Sequence, residues 1–171
     1  KVTGILLFSP LPPHVHAHTV LNAIELSKDV EGRRVVYSAR NGVLSPTALA
    51  CQTLIEETGC DVAGKEAVVV GCSEIVGKPS AIWLVDKRAT VTVCHSKTRN
   101  LRAHVENADI VIATAGRPHL IRGEWIKRGA IVIDVGENVV DGRLVGDVEF
   151  ETAKQRAAFI SPVPGGVGPV S

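Results

Sequence analysis

The residues best placed for chemistry are glycines and hydroxyls that stand where short apolar runs end. In AVVVGCSEIVGKP, residues 67–79, Gly71 follows a strand-like run and Gly77 opens a helical one through Ala81, Ile82 and Leu84. Glycines there let backbone N–H groups approach an anion, and a helix N-terminus adds roughly half a positive charge, so the segment suits a pyrophosphate. The spacing is not GxGxxG, and an ordinary strand-to-helix turn explains the segment about as well. The next strand-like run ends in CHSKTRN, residues 94–100. An NAD-selective dinucleotide fold carries Asp or Glu there to accept hydrogen bonds from the ribose. Here Ser96, Lys97, Thr98 and Arg99 bring hydroxyls and positive charge without a carboxylate, which favours a ribose bearing a 2′-phosphate, and so NADP over NAD, with NAD still possible. The plainer reading of Lys97 and Arg99 is a solvated loop.

Two further turns, TAGRP at 114–118 and DVGEN at 134–138, close the next two apolar runs. Ligands of open α/β sheets lie outside the carboxyl ends of the strands, so these turns face the same crevice as Gly71. Ala115, Gly116 and Gly136 would admit close backbone contact. Asp134 is a catalytic candidate, but a carboxylate that ends a buried strand is more often satisfied by backbone donors, and the structural role is favoured. PGGVGP, residues 164–169, suits either contact with a flat ligand or a tight turn, and spacing alone favours the turn. His14, His16 and His18 would share one face only on a strand; on a helix only His14 and His18 would, and with no further ligand indicated no metal is expected. No GxSxG elbow or Cys/His pairing supports nucleophilic catalysis.

The elements that must position these residues follow from the apolar pattern. EAVVV, ATVTVC, ADIVIA, GAIVIDV and AAFISPV alternate with helical stretches, which predicts parallel strands joined by right-handed crossovers. The runs are apolar on consecutive positions, as strands covered on both faces are, so the fold class is α/β with a Rossmann-like doubly wound parallel sheet. A partial second α/β region is expected at the N-terminus: TGILLF at 3–8 reads as a buried strand, and His14 to Ser27 reads as an amphipathic helix with Val20, Leu21 and Ile24 on one face. A further helix has Ser45 to cap it, Pro46 at its first position, Ala50, Leu54 and Ile55 on its face, and Gly59 to close it. The expected division is 1–44 as the remnant of one domain, 45–59 as a linking helix and 60–171 as the nucleotide-binding domain. The Pro- and Gly-rich tail that follows the last strand is expected to be a structured loop.

Composition narrows the function classes. Apolar residues at 45% and charged residues at 22% are the profile of a globular protein. With 19 basic against 18 acidic residues there is no broad basic field, and nucleic acid is not an expected partner. No apolar run is long enough to span a bilayer and no secretory leader opens the chain, so neither membrane nor export is expected. Cys51, Cys60, Cys72 and Cys94 form no CxxC pair, which fits reduced thiols in the cytoplasm. The chain opens at Lys1 and lacks Met throughout, so a missing N-terminal part is allowed for.

Taken in order, these segments resemble one family. VVVGCSEIVGKP is similar to the VVVGRSNIVGKP loop of the bifunctional methylenetetrahydrofolate dehydrogenase/methenyltetrahydrofolate cyclohydrolase family. VTVCHSKTRNL resembles its CHSxTxNL segment, GEWIKRGAIVIDVGEN its GxWIKxGAVVIDVGIN segment, and SPVPGGVGP its TPVPGGVGP loop. GILLFSPLP, KDVEG and SPTALACQTLIEETG resemble its GIxVQLPLP, KDVDG and interdomain TPxG helix. The resemblance covers nearly the whole chain. It implies an oxidoreductase and hydrolase of one-carbon folate metabolism, a multifunctional, cytoplasmic homodimer acting on a tetrahydrofolate-type small molecule. The dehydrogenase oxidises 5,10-methylenetetrahydrofolate with NAD(P), and the cyclohydrolase hydrolyses the methenyl product to 10-formyltetrahydrofolate.

By matched position the resemblance assigns the cofactor to Gly71, Cys72, Ser73, Ile75, Ser96, Thr98, Ala115, Gly116, Gly136 and Glu137. It assigns the folate to Pro10, Leu11, Glu31, Pro164, Gly165 and Gly166, and so raises the ligand reading of PGGVGP above the turn. Several residues depart from the pattern. The family's lysine lies in a YxxxK motif upstream of GIxVQLPLP, and this chain begins after that point. Phe8 stands at the family's glutamine, Glu31 at its folate-binding aspartate, Cys72 where an arginine often contacts the 2′-phosphate, and Glu137 at an isoleucine. The segment between KDVEG and SPT is shorter than the family's, and the family's last helix has no counterpart before Ser171. The competing expectation is a non-catalytic NAD(P)-binding paralogue with a degenerate folate site; an NADP enzyme with another substrate is a third.

Overall fold

In the computed structural model of the chain, residues 2–8, 11–33 and 45–171 are described. The five apolar runs form the strands β1 (Glu66–Val70), β2 (Thr90–Cys94), β3 (Ile110–Ala113), β4 (Ile131–Asp134) and, after a hairpin, β7 (Phe159–Ile160). All pair in parallel in the order β2-β1-β3-β4-β7. This is the doubly wound sheet that the consecutive apolar positions predict.

The period of two in a strand explains how both faces are filled. Ala67, Val69, Ile110, Ile112, Ile131 and Ile133 turn to one face, where they meet Ala50, Cys51 and Ile55 of helix α2 (Pro46–Glu57) and Ala81 and Leu84 of helix α3 (Gly77–Asp86). Val68, Val70, Val111, Ala113 and Val132 turn to the other. There they meet Val105 of helix α4 (Leu101–Glu106), Ala153 of the short helix α5 (Phe150–Ala153), and Ile121, Ile126 and Val148 from connecting segments. Val69, Ile112, Val111 and Val132 have no exposed surface, and burying each contributes on the order of 1.5–3 kcal/mol. Among the described residues no helix is long and apolar enough to cross a membrane.

Several expectations are corrected. TGILLF is not a buried strand. Ile5 makes one isolated bridge with Asp29, and Leu6 and Phe8 are exposed, because no other described segment pairs with or covers this stretch. The helix expected from His14 to Ser27 is α1 (Ala17–Ala23) alone; Ile24 turns to extended backbone, and a 3₁₀ turn follows at Leu26–Lys28. Ser45 occupies the N-cap of α2 without capping it, since its hydroxyl is buried and makes no hydrogen bond, whereas Pro46 stands at the first helical position and Gly59 takes a φ of 71° just past the end. Between β4 and β7 a hairpin that the strand pattern had not resolved pairs β5 (Asn138–Val140) with β6 (Arg143–Val145). Its turn is Asp141-Gly142 with φ of 50° and 76°, the two positive values that a two-residue hairpin loop of this kind requires.

Candidate functional site

Parallel pairing brings the carboxyl ends of four strands to one height: Val70 is opposite Cys94 and Ala113, and Ala113 is opposite Asp134. The turns that leave these ends therefore converge. After β1 the chain bends at Gly71, whose φ of 124° is open to glycine and rarely to other residues. A Cβ on Gly71 would collide with the Thr114 carbonyl, and one on Gly77 with the Gly71 carbonyl, so the turn is closed as tightly as backbone permits. Inside it, the Ser73 hydroxyl accepts the N–H groups of Val76 and Gly77, each at 3.2 Å. Both lone pairs are then engaged and the hydroxyl proton remains for a further acceptor.

The loop after β2 is organised similarly. His95 N–H donates to Thr98 Oγ1 at 2.9 Å, and Lys97 N–H donates to His95 Nδ1 at 3.1 Å. Between these turns lies a cavity of about 440 Å³ walled by Cys72, Ser73, Ser96, Thr98, Ala115 and Arg117, with Gly71 at its base. No Asp or Glu borders it. The hydroxyls of Ser73, Ser96 and Thr98 and the Arg117 guanidinium can donate to an anion. Lys97 and Arg99 do not border it. Ile75 packs against the core cluster instead, and Gly116 contributes through its backbone rather than through the wall.

Beneath the TAGRP loop lies a pair of buried carboxylates. Asp147, with no exposed surface, accepts the N–H groups of Ala115 at 2.6 Å and Gly116 at 2.9 Å on Oδ2, and those of Arg117 at 2.8 Å and the Asn138 side chain at 2.9 Å on Oδ1. Asp134 in turn accepts N–H groups from Gly136 and Asp147 on Oδ1 and from Val148 on Oδ2, at 2.9, 3.0 and 2.8 Å. Burial pushes the Asp134 carboxyl up to about 6, against the pull of these donors, and the Asp147 charge adds to the rise. With both its oxygens engaged by backbone, Asp134 is a structural ion; its shifted pKa reflects burial rather than a proton-transfer task.

A second cavity, about 660 Å³, opens on the far side of β4 and is bordered by Asp134, Gly136, Glu137, Pro164, Gly165 and Gly166. Thr47 of α2 and Ser171 lie at its rim, their hydroxyls 3.1 Å apart, so the PGGVGP loop lies between β4 and the start of α2. The Val163–Pro164 peptide is cis. At the N-terminal end, Phe8 is 79% exposed, and neither Leu11 nor Glu31 borders either cavity. Glu31 lies 3.7 Å from Arg33, whose guanidinium donates to the Leu7 carbonyl at 2.9 Å. Pro10 and the His18 side chain lie outside the described residues.

The sequence reading overlooked Asp147, Asn138 and Arg117. Asp-Gly at 141–142 between two short apolar pairs carries the hairpin signal, and that hairpin brings Asp147 back beside Asp134. Arg117 gave no signal of its own, because only the fold places it beside Ser96 and Thr98.

The comparisons with known proteins agree with this geometry. The NAD(P)-binding domain of tetrahydrofolate dehydrogenase/cyclohydrolase matches residues 45–171. The chain is similar to the bifunctional protein FolD of Acidithiobacillus ferrooxidans, at 51% identity over 99% of this chain and 61% of that one. It is similar also to bifunctional protein FolD 2 of Geobacter metallireducens, at 52% identity over 99% of this chain and 62% of that one. Among solved structures it superposes on the bifunctional FolD methylenetetrahydrofolate dehydrogenase/cyclohydrolase of Campylobacter jejuni with a TM-score of 0.93, 41% identity, and coverage of 98% and 62%. The Trypanosoma brucei methylenetetrahydrofolate dehydrogenase-cyclohydrolase, solved with NADP cofactor and an inhibitor, gives a TM-score of 0.90 at 43% identity and coverage of 98% and 62%. The chain thus spans about three fifths of the length of these relatives.

Proposed function

This chain belongs to the tetrahydrofolate dehydrogenase/cyclohydrolase family, and from that we propose that it supplies the cofactor side of an NADP-dependent oxidation of 5,10-methylenetetrahydrofolate to 5,10-methenyltetrahydrofolate. The observation that carries the reading is the cavity at the ends of β1, β2 and β3, bordered by Ser73, Ser96, Thr98 and Arg117 and by no carboxylate. The fit is chemical as well as spatial. Gly71 and Gly77 let the turn close against the Thr114 and Gly71 carbonyls, which no side chain there would allow, and the Ser73 hydroxyl keeps its proton for a phosphate oxygen.

When bound, NADP supplies the hydride acceptor at its nicotinamide ring. Gly71 and Ser73 would hold the phosphates, Ser96 and Thr98 would hold the ribose, and the loop at Ala115 and Gly116, anchored by Asp147, would border the nucleotide. Gly136, Glu137 and the loop at Pro164, Gly165 and Gly166 then border the place where nicotinamide and folate meet. Leu11 and Glu31, with Pro10, belong in this reading to the folate side contributed by residues 1–44, joined through the helix at 45–59 to the nucleotide domain at 60–171. Orientation of two flat rings against one another supplies most of the rate in such a transfer, with little acid/base help.

Cyclohydrolysis to 10-formyltetrahydrofolate is the second half of the proposal. It needs proton transfer, for which Phe8 has no group, while both Asp134 oxygens already accept backbone N–H groups. We place the enzyme in the cytoplasm as a homodimer, which light scattering of the purified protein tests directly. The activity test is the intact gene product mixed with methylenetetrahydrofolate and NADP. A rise in the reduced-nicotinamide absorbance is expected, and a flat trace at high enzyme concentration would defeat the reading.

A further inference from the structure

Resting on the reading of the first cavity as the adenosine side of an NADP site, we propose that Arg117 selects the 2′-phosphate. The residue lies on the loop that leaves β3, a strand away from the loop where a dinucleotide fold usually reads the ribose, yet it borders the same cavity as Ser96 and Thr98. It is the one Lys or Arg that does so among the described residues; Lys97 and Arg99, nearer in sequence to the ribose position, stay outside the wall.

Three observations support the assignment. The Arg117 backbone is fixed, because its N–H donates to the buried Asp147 at 2.8 Å while the neighbouring Gly116 N–H donates to the same carboxylate. Its guanidinium is available, since among the described residues no carboxylate pairs with it. The wall around it lacks any Asp or Glu, so a ribose 2′-hydroxyl finds no acceptor of the kind that favours NAD, while a 2′-phosphate would meet the Arg117 side chain and the hydroxyls of Ser96 and Thr98.

Calorimetry on the intact protein tests this without turnover, using adenosine 2′,5′-bisphosphate and adenosine 5′-phosphate as probes. Arg117→Ala is expected to weaken the bisphosphate about 10- to 100-fold and the monophosphate less than about threefold, and Arg117→Lys to recover part of the difference. Steady-state KM values for NADP and NAD should part in the same ratio. The side chain is exposed, so an unchanged melting temperature is expected to accompany the effect. Equal weakening of both probes would assign Arg117 to the shared part of the nucleotide and overturn the proposal, as would no change in either. If the unsubstituted protein binds neither probe, the nucleotide reading of the cavity itself falls, and this inference with it.

Discussion

The backbone N–H of Asp147 donates to Oδ1 of Asp134 at 3.0 Å, so the carboxylate that holds the loop after β3 is itself held by the carboxylate that ends β4. Two negative side chains are buried side by side, and each is stabilised by N–H groups rather than by a cation. The arrangement fixes the ligand loops, and breaking it has measurable effects.

Replacing Asp147 with Ala would remove the shared acceptor of the Ala115, Gly116 and Arg117 N–H groups in a part-buried site. The expected cost is on the order of 3–5 kcal/mol, readable as a lower urea midpoint. If the variant still folds in the cold, NADP should bind it more weakly, because the TAGRP loop has lost its anchor. A loss below about 1 kcal/mol would mean that water replaces the carboxylate and that the anchor is dispensable.

Asp134 should make the protein less stable as pH rises from about 4 to about 6. Its folded pKa of about 6 lies above the ordinary 3.8, so the folded state keeps a proton that the unfolded chain releases. The stability it lends is complete below pH 4 and declines by about 3 kcal/mol by the time the folded group has ionised. Asp109 acts in the opposite sense: Lys127 holds it low, and its contribution is lost as pH falls. Urea titrations at several pH values should therefore be compared between the natural chain and Asp134→Asn, and the difference should slope only in this window. Parallel curves would refute the assignment.

Thiol chemistry should separate the cysteines. Cys72 is exposed on the wall of the first cavity, whereas burial on the inner face of α2 pushes the Cys51 thiol up to about 12. Iodoacetamide is expected to modify Cys72 in the native protein and leave Cys51 intact until unfolding, by peptide mapping. NADP should protect Cys72, and labelling at the same rate with and without saturating NADP would count against its place in the site.

Ser73→Ala removes the acceptor for Val76 and Gly77 N–H at the start of α3. About 1 kcal/mol of stability should be lost, as for other helix-start acceptors, together with roughly tenfold in NADP affinity. Ser73→Thr should restore most of the stability, and a variant that binds NADP normally would show that the hydroxyl proton plays no part.

How far the sequence could be read depended on whether the signal was local. Consecutive apolar runs such as EAVVV and ADIVIA read as strands covered on both faces, which by itself brings the turns at their ends together. Gly71 and Ser73 were legible for the same reason. TGILLF has the composition of a strand, but burial depends on neighbours that composition does not report, and here it has a single bridge to Asp29. Asp147 and Arg117 depend on contacts across some 30 residues of chain, between β3 and the far side of a hairpin, which no spacing within either segment reveals.

That hairpin branches from the sheet at a neck closed by Asn138, whose side chain donates to both Asp147 and the Val145 carbonyl, while its tip at Asp141-Gly142 faces solvent. The site is therefore insulated from whatever happens further out. Residues added at the tip would lengthen a loop at little entropic cost without shifting the register of either aspartate. A label inserted at the exposed tip should leave the fold intact, while a change at the Asn138 neck should not.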